Sequence, residues 1–300
     1  MRRALAAVML AAPALACGQE RAAVGEIAFS RDSDGLEASA FSLGAAPSYA
    51  APYRNRVFLA RVLRYSQAGW AVDGVGIAMQ ERRRYAQGWL HVDAGVASLD
   101  GTSVSAAVSR GWFDEAGRSV ELMLERGLVD SRAGIEQNLS ATLAGVGGDV
   151  ALTSATTLNG SVAVQYVEDG NWRTHLRARV IQELVAAPTA IQLQARYRGI
   201  RAENPYTGNY FNPRSLDELL VGALARVDRA QWRGILWAGA GPQRVDGSSR
   251  RAYAVEASLV SPRLADRPAY LTVSLGLKHD GAREGGYTYR YVFAGLAVRF

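Results

Sequence analysis

Along most of its length this chain alternates apolar and polar residues one by one, and few folds accept that pattern. The clearest run is Leu271–Lys278. Leu271, Val273, Leu275 and Leu277 share one face, and Thr272, Ser274, Gly276 and Lys278 share the other. A period of two places successive side chains on opposite faces of an extended strand. The same alternation separates Ile191, Leu193 and Ala195 from Gln192, Gln194, Arg196 and Arg198. It separates Leu176, Ala178 and Val180 from His175, Arg177 and Arg179. Tyr253, Val255, Ala257 and Leu259 alternate with Ala254, Glu256 and Ser258, and Leu90, Val92, Ala94 and Val96 with His91, Asp93 and Gly95. Turn signals stand between the runs: Asp34-Gly35, Gln67-Ala68-Gly69, Asp100-Gly101, Glu115-Ala116-Gly117, Gly147-Gly148, Asp169-Gly170-Asn171 and Asp246-Gly247. They recur about every 13 to 20 residues, which gives about 16 strands from Gly25 to Phe300. No helical pattern exceeds two turns, and no helical repeat of about 34 residues is present.

Two architectures use many amphipathic strands. Strands of soluble sandwiches and propellers run to about 5 or 6 residues, whereas those of transmembrane barrels need about 9 to 11. Here many run about 10 to 14 residues, and their polar faces carry Arg, Gln, Ser and Gly. Such a face is foreign to a packed soluble core and natural in a wet lumen. A charge facing lipid costs about 2–4 kcal/mol at mid-membrane, so confinement of charge to one parity selects the barrel. The mean hydropathy of -0.05 is then the average of a lipid-facing and a lumen-facing parity. The hydrophobic fraction of 49% excludes disorder. Beyond the N-terminus no apolar run is long enough for a membrane-spanning helix. The final segment strengthens the reading. Val292, Ala294, Leu296, Val298 and Phe300 share one face, and Tyr291, Phe293, Gly295, Ala297 and Arg299 the other. A last strand closing on Phe300 resembles the assembly signal of Gram-negative outer-membrane barrels. The expected fold is therefore all-β: a transmembrane antiparallel up-and-down β-barrel of about 16 strands over residues 17–300. Trp70, Trp112, Trp172, Trp232, Tyr253, Tyr270 and Tyr287 lie near strand ends, as interface girdle residues do, unless some of them fill the lumen.

The N-terminus sets the compartment. Arg2 and Arg3 precede an apolar stretch from Leu5 to Ala16 that ends in Ala14-Leu15-Ala16. This is the layout of an export signal over residues 1–16. Its removal takes away two positive charges and no acid, lowering the net charge from +6 to +4. The sole cysteine, Cys17, follows at once, and two readings stay open: a lipidated N-terminal Cys, or ordinary cleavage after Ala16. With one cysteine no intrachain disulfide forms, although the compartment is oxidising. The expected location is the outer membrane of a Gram-negative bacterium, with outer-membrane lipid and the barrel assembly machinery as partners.

If both termini are periplasmic, residues 204–215, 242–250 and 279–286 become external loops. Residues 186–189, 228–230 and 261–268 become periplasmic turns, and Ala45 to Asn55 a long one. The lumen parity collects Arg177, Arg179, Arg196, Arg198, Arg226 and Arg299, with Arg61 beside them, against fewer acids: Asp93, Glu183, Asp228 and Glu256. Rings of basic residues make pores anion-selective, so these arginines are candidate pore-lining residues for an anionic or polyhydroxylated solute. The alternative is ion pairing along the wall that merely joins strands. An enzyme is not expected. His91 and Asp93 share a face like an acid–base pair, but Ser98 and Ser103 are merely nearby and nothing completes a site. His91, His175 and His279 are too scattered to bind a metal, and no cofactor is implied. The modest basic excess is spread along strands, which does not indicate nucleic-acid binding.

Two loop motifs, Asp169-Gly-Asn-Trp-Arg173 and Asn204-Pro-Tyr-Thr-Gly-Asn-Tyr-Phe-Asn-Pro-Arg214, add a resemblance. With the strand count and the Phe ending, the chain from about residue 24 to 300 resembles the C-terminal barrel domain of exopolysaccharide export porins, the cellulose and poly-N-acetylglucosamine exporters. That family places a periplasmic helical-repeat arm before a 16-stranded barrel. The resemblance implies an outer-membrane pore for exopolysaccharide export. It also implies a separate periplasmic helical-repeat protein as partner, since no such arm is seen here. Tyr206, Tyr210 and Phe211 would then stack on sugar rings at the external mouth, unless they only pin their own loop. A non-conducting surface or assembly protein, such as an adhesin or receptor, remains the other class.

Overall fold

The computed structural model describes residues 21–229, 232–261, 269–280 and 287–300. The proposed signal segment 1–16 and Cys17 lie outside them, as do parts of the expected turns at 228–230 and 261–268 and of the loop at 279–286. Sixteen strands follow one another: β1 (Ala22–Asp32), β2 (Glu37–Ala51), β3 (Arg54–Gln67), β4 (Trp70–Tyr85), β5 (Gly88–Ser98), β6 (Thr102–Phe113), β7 (Ser119–Leu128) and β8 (Ser140–Ala151). Then come β9 (Thr156–Val167), β10 (Asn171–Val185), β11 (Thr189–Ala202), β12 (Ser215–Arg229), β13 (Trp232–Val245), β14 (Ser248–Val260), β15 (Ala269–Asp280) and β16 (Tyr287–Arg299). A single helical turn, α1 (Arg132–Glu136), interrupts the loop between β7 and β8. Every strand pairs antiparallel with its sequence neighbours. β1 closes the barrel on β16, in a register running from Ala22↔Arg299 to Asp32↔Tyr289. Closure leaves no unpaired edge, which a sheet in hydrocarbon requires. The amide of Phe300 donates to the carbonyl of Arg21, so both ends of the barrel meet at one rim, the terminal rim. The longer loops sit at the opposite, far rim.

The outward parity is the apolar one. Ile27, Phe29, Phe41, Leu43, Val62, Ile77, Leu122, Leu124, Val162, Leu176, Leu193, Val221, Leu236, Leu275 and Val292 all stand exposed on it. Much of the charge on this face is paired near the rims. Arg31–Glu37, Arg64–Asp73, Arg126–Glu168 and Arg201–Asp217 ring the far rim, and Arg56 and Arg83 grip Glu81 at the terminal rim. Trp112 and Trp172 face outward near strand ends, Tyr253 faces outward within β14 opposite His279, and Trp172 packs on Tyr166 at 4.9 Å between ring centroids. The other girdle expectations divide. Trp232 shares the outward parity of Leu236, but Trp70, Tyr270 and Tyr287 take the lumen parity: Arg132 lies over Trp70, Tyr270 meets Tyr49 at 5.7 Å, and Tyr287 donates to Asp32.

Two turn expectations are corrected. Residues 45–55 are not a long turn: β2 runs to Ala51 and β3 resumes at Arg54. Register shifts between Ala45/Ser48 and Tyr49/Ala51 absorb Pro47, and the Asn55 amide closes the turn on the carbonyls of Ala51 and Pro52. Gly147-Gly148 is not a turn either but lies inside β8. A Cβ on Gly148 would come 2.3 Å from the Ser119 carbonyl oxygen, so this glycine marks close strand approach. The 242–250 loop contracts to Asp246-Gly247, both at positive φ as a tight hairpin needs.

Inside, the wall is not uniformly wet. Ala22, Val24, Ala46, Tyr49, Val57, Leu59, Ala78 and Ala297 form a buried apolar cluster on the lumen side of β1–β4 and β16, toward the terminal rim. Leu220, Trp237, Ala252 and Ala254 form a second on β12–β14. The lumen face of β5–β11 carries many small and polar residues, and Glu26, Ser42, Arg61 and Gln80 share the lumen parity on β1–β4.

Candidate pore lining and mouth

Register brings four of the expected arginines together. Arg177 of β10 lies directly opposite Arg198 of β11, and Arg179 opposite Arg196. Extending across neighbouring strands, one row reads Glu121, Gly147, Ser161, Arg177, Arg198, Glu218, Gln243. The next reads Ser119, Asp149, Asn159, Arg179, Arg196, Leu220. The rows line a lumen cavity of about 500 Å³.

The two arginines of β11 are committed to the wall. Arg198 bonds Glu218 at 3.2 Å and Asp280 at 3.0 Å, and Glu218 also accepts from Gln243 and Lys278. Arg196 bonds Gln194 and Glu256, and its guanidinium lies 3.6 Å from the centre of the buried Trp237 ring, a cation–π contact. Arg177 and Arg179 have no ion-pair or hydrogen-bond partner among the described residues. Facing them, Asp149 is held by the Ser119 hydroxyl and the Asn159 amide. Arg226 and Arg299 are elsewhere, at the terminal rim, where they meet Asp228 and the Tyr270 hydroxyl. Arg61 is on the lumen parity in register with Ser42 and Gly76.

The acids were undercounted from the sequence: Glu121, Asp149, Glu218 and Asp280 also point inward. On β12 the lumen face interleaves Leu216, Glu218, Leu220 and Leu224, so apolar lumen residues blur the binary pattern. Counting back eight positions from Arg226 finds Glu218 on the same parity.

At the far rim the two loop motifs prove to be one unit. Tyr210 donates to Asp169 and accepts from Asn171, and Arg173 stacks 4.4 Å over its ring. Arg173 also bonds Asn212 and the Phe211 carbonyl, while Asn171 accepts from the Asn204 amide. Burial pushes the Tyr210 phenol above its usual range. Tyr210 thus pins the loop, with one ring face already covered. Phe211 is half-buried beside it. Tyr206 is 63% exposed and is the aromatic of this loop open to a ligand.

The β7–β8 loop reaches across the mouth as a strap. Ser131 caps α1 through the Gly134 amide and donates to the Asn209 carbonyl at 2.6 Å, and Gln137 bonds the Asn209 side chain. On the other side Arg132 covers Trp70 at 5.5 Å. The hairpins touched are eight strands apart in a barrel of sixteen, hence on opposite sides. Beside the strap a mouth cavity of about 630 Å³ is bounded by Asp32, Asp130, Tyr287 and Tyr289. Asp130 is reached by solvent, yet the crowded mouth and the charge of Asp32 hold its carboxyl above the usual range.

The histidines have separate surroundings. Asp93 is engaged by Arg82 at 2.9 Å and not by His91; His175 bonds Gln165; His279 stacks outward on Tyr253.

No protein-family model matches this chain, and no curated protein does. Among solved structures, it is similar to a bacterial polysaccharide outer membrane secretin, with a TM-score of 0.68 and 14% identity over 93% of this chain and 98% of that one. The two share one fold. CdiB from Acinetobacter baumannii has a TM-score of 0.49, with 13% identity over 94% of this chain and 61% of that one. OpdQ of Pseudomonas aeruginosa has 0.45, with 9% identity over 95% of this chain and 100% of that one.

Proposed function

We propose that the protein is an outer-membrane channel whose cargo is an exported polysaccharide. One observation carries this reading: a closed barrel with an apolar exterior whose β5–β11 lumen wall is lined by small, polar and charged side chains next to a cavity. That is the lining a hydrated, hydroxyl-rich chain needs. The shared fold with a polysaccharide secretin supports the cargo. With both termini periplasmic, the locked loop unit and exposed Tyr206 stand at the external mouth, and a separate helical-repeat protein would dock at the terminal rim. The test is conductance of the purified barrel in planar bilayers, paired with loss of surface glycan in cells lacking the protein.

The strap and the two apolar lumen clusters favour one alternative, a sealed surface or assembly protein. A barrel that inserts but stays silent in the bilayer supports it and overturns the channel.

A further inference from the structure

We infer that Arg177 and Arg179 form an oxyanion-binding site in the lumen that grips the negative groups of a polyhydroxylated chain. This rests on the channel reading and names the cargo's charge.

Like charges directly opposite on paired strands destabilise a sheet. Here two such pairs stack in consecutive lumen-facing rows, Arg177 with Arg198 and Arg179 with Arg196. The β11 member of each pair is neutralised by acids, but the β10 member is not. A bare guanidinium pair beside a cavity of about 500 Å³ is therefore a cost that the wall itself does not offset. Guanidinium presents a planar fork of donors that fits carboxylate or phosphate bidentately.

The adjoining strands supply the rest of the pocket. Ser161 and Asn159 lie in register beside Arg177 and Arg179, offering the Ser161 hydroxyl and the Asn159 Oδ1 to sugar hydroxyls, the Asn159 NH2 being held by Asp149 and the Gly148 carbonyl. Gly147, next in the row, leaves the floor clear of side chain. Glu121 and Asp149 face from the β7–β8 side, where Asp149 is tied to Ser119 and Asn159. They leave the cationic side on β10, so the ligand's anion is held on that side alone.

The probes are oligogalacturonate, which carries carboxylates, inorganic polyphosphate, and neutral maltohexaose. Binding to the detergent-solubilised barrel is read by tryptophan emission, since Trp237 lines the same cavity. Current block in planar bilayers is read in parallel. We expect oligogalacturonate or polyphosphate to bind, and whichever binds tighter identifies the oxyanion; maltohexaose binds at least about tenfold weaker than that probe. Arg177→Gln with Arg179→Gln weakens the anionic probe at least about tenfold. The double Lys variant, which keeps charge and loses the fork, falls between. Arg64→Gln, on the outer face, binds like the parent. Equal binding of charged and neutral probes, or an unchanged double Gln variant, overturns the site. Tight anion binding by a barrel that never conducts leaves the site standing and removes the channel.

Discussion

Lipid-facing and lumen-facing positions of one strand should respond oppositely to charge, and β9 offers a clean pair. Val162 points outward and is 48% exposed, while Ser161 points to the lumen between Gly147 and Arg177. Val162 is the seventh of twelve residues in β9. At about 3.3 Å per residue and about 40° of tilt it lies roughly 13–15 Å from either strand end, near the bilayer midplane. Val162→Arg should therefore cost about 2–4 kcal/mol. Ser161→Arg sits at the same depth, with the lumen cavity beside it. Its expected cost is the like-charge term against Arg177, about 0.2–1 kcal/mol. Reversible urea unfolding in lipid vesicles gives both values. A Ser161→Arg cost equal to or above that of Val162→Arg would refute the assignment of lumen and lipid faces.

Other outcomes follow from the rims. Asn171 is 1% exposed and bonds Tyr210 and Asn204; Asn171→Ala should cost about 1–3 kcal/mol and free the 203–214 loop to limited proteolysis. Ser131→Ala removes the α1 cap and the Asn209 contact, and about 1 kcal/mol of strap ordering should go with it, read as faster trypsin cleavage after Arg132. Asp130 has a raised carboxyl pKa in the folded strap, so the folded state holds its proton more tightly than an open one. Ionisation then loosens the strap as pH climbs from the usual carboxylate range through the raised value, and the loosening is complete above it. Asp130→Asn should slow that trypsin cleavage at pH 8, and a dye on Gln137→Cys should show parent and variant converging as pH drops below the usual range. Phe300 is 78% exposed and adds one backbone bond, so Phe300→Ser should leave unfolding in vesicles nearly unchanged while lowering the amount of barrel inserted in cells.

The barrel was legible because lipid imposes a single rule on every outward position. Leu271, Val273, Leu275 and Leu277 obey it, and so does the final strand down to Phe300. The lumen has no such rule. On β12 leucines share the inward face with Glu218, and on β1–β4 a packed apolar cluster does. Parity alone therefore missed the Glu218–Lys278–Asp280 network around Arg198. Glycine was ambiguous for a related reason: at Gly247 it serves a positive-φ turn, at Gly148 a close strand approach. The two loop motifs could be seen in the sequence, but not that Tyr210 of one is held by Asp169 and Asn171 of the other. Such contacts depend on hairpin neighbours thirty or more residues apart.

On the proposed channel reading, the uneven lumen also locates the passage. Apolar side chains cluster on β1–β4, β16 and β12–β14, and the rows of small, polar and charged residues beside the cavity of about 500 Å³ run from β7 to β11. The proposed hydrated cargo loses less by following the second wall, where polar side chains can take up its hydroxyls. Arg177 and Arg179 stand on that wall, between Ser161 and Asn159 on one side and the ion-paired Arg198 and Arg196 on the other. Arg198 and Arg196 are tied to acids of the wall, and in the proposed channel the unpaired Arg177 and Arg179 face what passes. If so, moving the unpaired charge off the path should abolish the preference for anionic chains while conductance persists. Arg177→Gln with Arg179→Gln, combined with Leu224→Arg on the lumen face of the apolar side, keeps part of the charge in the lumen and shifts it away from the cavity. A triple variant that still prefers oligogalacturonate over maltohexaose would show that lumen charge as a whole, not its position, sets the selectivity.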